Sequence, residues 1–298
     1  MAFATAYHTR LGVPLTDLSK EDRLGLLADL PGTWVGSGFT LISLPDFDSK
    51  PPSDGPKPFR LKLNATIETL QSTPIGGDVP NRGSLTGLGS TTGQPDINLH
   101  GLTYLQRVSD AVTKEALHIE PGIWVNVPET VVPAAPASVV RLGTIPHADA
   151  LLAQGTAFNV AGGPKINVVD STPTFNPPQP NPIPPEYFDP FKNPPLPPGI
   201  DLASVKNPNH VLEAAILGQE ITNTVVLEIS TDPDGGIKNI PFVVKNANAT
   251  SLDAIFWIET VKQKDDSTLL QLQYTQTVIL NFLGIDWPHI SVATLIKQ

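Results

Sequence analysis

The chain has 298 residues, 40% hydrophobic and 16% charged, enough to bury a sizeable core in one large domain or two modest ones. A formal net charge of −10 and the absence of any dense basic run argue against a nucleic-acid partner, because phosphate backbones are held by lysine and arginine patches. With no cysteine, disulfides, thiolate metal sites and cysteine nucleophiles all drop out, and a reducing compartment is compatible.

The opening "MAFATAYHTRLGVPLTDLSKED" lacks a basic start followed by an apolar core, so no secretory signal is read. No stretch reaches the roughly 18 apolar residues of a membrane-spanning helix. A cytoplasmic protein with no membrane span is the expectation. The 32 prolines beside 23 glycines imply many fixed turns, since proline cannot donate a ladder hydrogen bond and sits badly inside helices.

In chain order, Leu15 to Leu30 reads as a short helix, with Ser19 as cap and Asp22 three residues on. Leu24, Leu27 and Leu30 share a face, and Pro31-Gly32 stops the helix. The period then becomes alternating. In "FRLKLNATIETL", Phe59, Leu61, Leu63, Ala65 and Ile67 take one face and Arg60, Lys62, Asn64, Thr66 and Glu68 the other. Further strands are expected at 117–127, 139–143, 221–230, 241–245, 254–263, 269–280 and 289–297. "KQKDDST", Lys262 to Thr268, is a polar hairpin turn between two of them. Successive strands with short turns and little helix indicate an antiparallel sheet, whose edges are removed by closure into a barrel.

Thr172 to Gly199 breaks this rhythm, with 12 prolines in 28 residues. It reads as a linker or as a strap across one domain, and Phe175, Tyr187, Phe188 and Phe191 favour the strap. Residues 1–298 are then one domain with 172–199 as an insertion. "NHVLEAAILGQ" follows as a second short helix, capped by Asn209 and ending near Gly218.

The six histidines, His8, His100, His118, His147, His210 and His289, show no HxxxH or HxH spacing. No acidic cluster imitates a calcium loop, and no nucleophile elbow, phosphate loop or dinucleotide fingerprint is present. Hydrolase, kinase and dehydrogenase readings therefore lose their usual support.

Four stretches matter in their shared order. "LPGTWVGSG" sets Gly32, Trp34, Gly36 and Gly38 on the first strand, and "GLTYLQRVSD" carries Tyr104, Gln106 and Arg107. "LHIEPGIWVNVP" carries His118, Glu120, Gly122 and Trp124, and the last strand runs through "WPHISVATLIK". Taken together, and with Val139 to Gly155 as a following strand pair, they resemble the nitrobindin family of haem-binding β-barrels. The resemblance covers about half the chain in patches. Family members are shorter, so Ser49 to Pro58, Ile75 to Pro95 and the proline segment stand as insertions. Thr40, Ile42 and Ser43 replace the glycine and tyrosine that continue the first motif.

What the resemblance implies is a mainly β, antiparallel up-and-down barrel of about ten strands, and haem b held by the histidine of the last strand. That histidine is His289 here, so it is the implied iron ligand. Strand alternation puts His289, Ser291, Ala293 and Leu295 on one face, and the small Ser291 and Ala293 leave room for a flat ligand. His147 is the candidate for the opposite side of the cofactor. His118 and Glu120 share a face and can be read as an acid–base pair or as structural anchors, the latter preferred. Trp34 is expected to plug the barrel base. The implied chemistry concerns nitric oxide or peroxynitrite at ferric iron. The rival reading is a non-catalytic carrier of an apolar or fatty-acid-like small molecule. A third is an oligomer whose functional surface is the barrel exterior.

Overall fold

The computed structural model describes residues 23–46, 59–85 and 93–298. Ten long strands run antiparallel: β1 (Gly32–Pro45), β2 (Phe59–Pro74), β3 (Ile97–Asp110), β4 (Ala116–Val127), β5 (Ser138–Ile145), β6 (Asp149–Ala161), β7 (Glu220–Ser230), β8 (Asn248–Lys262), β9 (Thr268–Phe282) and β10 (Ile285–Lys297). Each pairs with the next in sequence, and β10 pairs back onto β1 from Trp34↔Lys297 to Leu41↔Ile290, closing the barrel. Among the described residues, closure pairs every long strand on both sides and leaves no extended free edge.

Alternation decides what points inward. Trp34, Leu70, Leu102, Tyr104, Trp124, Leu227, Phe256, Leu272 and Leu295 fill the interior. The lower end, where β1 begins, is sealed by Leu24, Leu27 and Leu30 against Trp34. Trp34 Nε1 donates to the Leu30 carbonyl at 2.8 Å, and Ser72 Oγ donates to the same oxygen at 2.6 Å. Of the expected helix from Leu15, residues up to 22, with Ser19 and Asp22, lie outside the described residues; Gly25–Leu27 forms a 3-10 turn.

The glycines of the first motif make the seam. A Cβ on Gly36 would stand 2.0 Å from the Thr294 carbonyl oxygen, and one on Gly38 would stand 2.1 Å from that of Val292. Only glycine lets β1 lie this close to β10.

The wall of β1, β7, β8 and β10 is buried on both faces. Outward Phe39, Leu41, Val226, Trp257, Ile290 and Val292 are covered by Val205 and Leu212, with Phe191 and Ile200 beside them. The covering residues come from the proline-rich segment and two short helices after it, Leu202–Lys206 and His210–Ala215. Above Ile290, β10 has outrun its pairing with β1, and Thr174–Phe175 pairs there with Asp286 and Ile285. Tyr187 and Phe59 pack on Trp287 at 5.8 and 4.4 Å between ring centroids.

Two local expectations are corrected. Residues 241–245 form no strand; Pro241–Asn246 is a helix, with Pro241 in its first turn. Proline's fixed φ and missing N–H suit a first helical turn and spoil a ladder, and a run as short as "FVVK" fits either period. Asn209 sits at the N-cap of His210–Ala215 but makes no cap bond. Its side chain instead donates to the Asn167 carbonyl at 2.7 Å and accepts from Thr275, tying the helix to the barrel wall.

Candidate functional site

The interior is layered, apolar below and polar above. At mid-height, Tyr104, Glu120 and Arg141 form a buried cluster from β3, β4 and β5. Arg141 donates from Nη2 to Glu120 Oε1 at 2.7 Å, from Nε to Tyr104 Oη at 3.0 Å and from Nη1 to Gln276 Oε1 at 2.7 Å. The Tyr104 hydroxyl also donates to Glu120 Oε1. Burial works against ionising Glu120, but the Arg141 guanidinium and His118 outweigh it and hold the carboxyl down at about 2. Arg141 stays charged for the reciprocal reason, with Glu120 overcoming the cost of burial. Gly122 and Gly143, paired across β4 and β5, make the room: a Cβ on Gly122 would crowd the Tyr104 ring, and one on Gly143 would stand 2.5 Å from Glu120 Oε1.

A second buried cluster lies beside it. Tyr274 donates to Glu68 Oε2 at 2.6 Å, Thr66 donates to Glu68 Oε1 at 2.8 Å, and Gln106 Nε2 donates to the Tyr274 oxygen at 3.0 Å. Burial raises the Glu68 carboxyl despite the donors Tyr274, Thr66 and, at 3.3 Å to Oε2, Gln106, and Tyr274 is also raised, first by burial and then by Glu68.

Above these clusters a band of inward-facing residues is only partly buried, while Leu280, Ile285 and Trp287, further along the same phase, are sealed against Ile183 and Tyr187 of the proline-rich segment. Thr40, Asn64, His118, Gln276, Val278, His289 and Ser291 point inward by alternation yet keep accessible surface. This is the mouth of the barrel, and it gathers three of the histidines. His289 Nε2 lies 3.4 Å from Thr40 Oγ1 and 3.5 Å from Ser291 Oγ, while those two hydroxyls are 2.9 Å apart. Burial, then His118 and His147, push the His289 imidazole down to about 4, so it is neutral at neutral pH. His118 Nε2 lies 3.2 Å from Glu120 Oε2, and its ring meets that of exposed His147 edge to face at 5.4 Å.

The residues singled out from sequence fall as follows. His289 and Ser291 line the mouth, Ala293 and Leu295 lie deeper in the apolar interior, and His147 stands on the rim in the β5–β6 hairpin. His118 and Glu120 do share a face, Glu120 as part of the buried ion pair. Arg107, by contrast, faces outward and donates to Gln71 Oε1 at 3.2 Å. Arg141, Asp149 and Gln276 were not singled out, and Thr40 was named only as a departure from the family's first motif. The signal for two of them was phase: Arg141 alternates with Val139 and Gly143, and Asp149 with Leu151 and Ala153, both at inward positions.

Two hollows elsewhere gather less chemistry. One of about 150 Å³ at the lower end is lined by Arg23, Pro74, Ile75 and His100. A shallow groove of about 640 Å³ runs along the proline-rich segment, and its one charged residue, Asp286, is already bonded to Asn176 and Asn281. Among the described residues no three His, Asp or Glu side chains are arranged to hold a metal ion by themselves. No described helix is long and apolar enough to cross a membrane.

No protein-family model matches the chain, and no curated protein matches it. Among solved structures it is similar to the crystal structure of Rv2717c from M. tuberculosis, at 15% identity over 93% of this chain and 99% of that one, with a TM-score of 0.42. At that score the likeness carries no argument; the barrel stands on its own strand pairings.

Proposed function

We propose that the mouth of this barrel binds haem b, whose iron His289 would hold through its imidazole. The observation that carries the reading is His289 itself: an inward-facing imidazole, neutral at physiological pH, with accessible surface and only long contacts to its Nε2. Neutral imidazole is the form that ligates iron. The residues therefore fit the group by donor chemistry. Haem, when bound, supplies an iron centre that takes up a small ligand such as nitric oxide or peroxynitrite.

The chain's own residues do the remaining work. Thr40 and Ser291 lie beside this same Nε2 and would release it to the iron, keeping the 2.9 Å contact between their own hydroxyls. Ala293 and Leu295 below it are fully buried and belong to the packed apolar interior beneath the ring, and His118 and His147 bring polar groups to the same mouth. The carrier reading has weaker support. A fatty-acid carboxylate needs an interior cation, and the buried cation Arg141 is already committed to Glu120, Tyr104 and Gln276.

The test is a haemin titration of the purified protein followed by absorbance, beside His289→Ala, with thermal melts of both to confirm folding. A saturable Soret shift at one equivalent that the folded variant loses is the expected result. No shift in the wild type, or equal binding by the variant, rejects the proposal.

A further inference from the structure

Around the mouth almost every polar group is spoken for. Glu120 Oε1 accepts from Arg141 and Tyr104, and its Oε2 faces His118. Gln276 accepts from Arg141, and Thr40 and Ser291 bond each other beside His289. Asp149 and its register partner Asn239 are exceptions, each with an unpartnered buried oxygen among the described residues, and Asp149 is the one of the two that can carry a proton. It is 8% exposed, it opens β6 in phase with inward Leu151 and Ala153, and its Oδ1 has no partner among the described residues. A buried carboxylate oxygen without a donor is costly, and such an exception calls for a ligand, a water or a proton.

Its surroundings favour the proton. The titratable and charged groups sharing this region are His118 and Glu120 from β4, Arg141 from β5, His147 from the hairpin and His289 from β10. Exposed His147 touches His118, so one end of this set meets solvent while Asp149 lies inside. We propose that Asp149 is the acid–base residue of the mouth, exchanging the proton on Oδ1 with a ligand bound beside His289 and re-equilibrating with solvent past His147. The transfer is a single proton: the carboxyl gives it to a ligand atom and becomes the carboxylate, or the carboxylate takes it from a protonated ligand. Burial and the nearby Glu120 charge, opposed by His118, raise Asp149 to about 6, which suits both directions near neutrality.

The ligand-transfer role rests on the haem reading, whereas the proton-holding role does not, so the test has two arms. In the first, carboxyl-carbon and imidazole NMR titrations follow the protein without haem, as wild type and as Asp149→Asn. The Asp149 carboxyl is expected to titrate near pH 6, well above exposed Asp265, and His118 ring shifts are expected to register the same step only in the wild type. In the second, cyanide uptake is timed in the ferric haem-loaded protein. Hydrogen cyanide must shed its proton on binding, so Asp149→Asn is expected to slow uptake about 100-fold and erase the inflection near pH 6. Titration of Asp149 together with the exposed aspartates overturns the inference, as does an unchanged cyanide profile in the variant. Failure of haemin to bind rejects the haem reading alone, and the first arm then decides whether Asp149 holds the proton.

Discussion

Glu259 offers the sharpest test of how this barrel is held together. It points outward from β8, yet it is completely buried, and its partner Gln271 is tied to Gln219 of the segment that lies on this wall. Gln271 Nε2 donates to Glu259 Oε2 at 2.5 Å, and Gln271 exchanges hydrogen bonds with Gln219 at 3.2 and 3.1 Å. Glu259 Oε1 has no partner among the described residues. Burial, only partly offset by Gln271, raises the carboxyl from 4.5 to about 7. A raised carboxyl pKa means the fold prefers the neutral acid. The stability is therefore whole below pH 4.5 and falls as pH rises toward 7, the opposite of an ion-paired carboxylate. Two and a half pH units at 1.36 kcal/mol each make the loss about 3 kcal/mol, and full burial removes solvent screening as a reason to discount it. Glu259→Gln keeps the shape and removes the charge. Urea unfolding at pH 4.5 and pH 8 should show the variant ahead of the wild type by about 3 kcal/mol at the higher pH and level with it at the lower. Amide exchange in residues 202–219 should slow in the variant at pH 8, since Gln219 of this segment is tied through Gln271 to the charge. Parallel pH profiles for the two proteins would refute the reasoning, because the carboxylate would then cost the fold nothing.

Arg141→Met should destabilise by about 3–5 kcal/mol in urea, because Glu120 is left charged and unpaired in the interior; adding Glu120→Gln should recover much of that loss. Gly38→Ala should lower the melting temperature sharply or prevent folding, because its Cβ would meet the Val292 carbonyl oxygen at 2.1 Å, whereas Gly76→Ala, with nothing within 4 Å of its Cβ, should be neutral. Equal melting temperatures for the two alanine variants would remove the close β1–β10 approach as the reason for the motif.

Much of the barrel was legible in the sequence because period two is a local property. "FRLKLNATIETL" alternates without help from the rest of the chain, and the turn at 263–267 interrupts two such runs to make the β8–β9 hairpin. Residues 241–246 were not legible, because four residues fit both periods and the neighbouring elements decide between them. Alternation also assigns His289, Ser291, Ala293 and Leu295 to one side, but only barrel closure makes that side the inside.

The sequence by itself determined most of the long strands and which side chains share a face, since these follow from backbone period. Only the tertiary structure decided the chemistry of the interior. Arg141 meets Gln276 across 135 residues and Glu68 meets Tyr274 across 206, and no local pattern encodes such partners. The charge states of His289, Asp149 and Glu259 belong to the same class. Each is set chiefly by the water removed around it, and burial of that kind exists only once the strands have closed and the covering segment has come down on the wall.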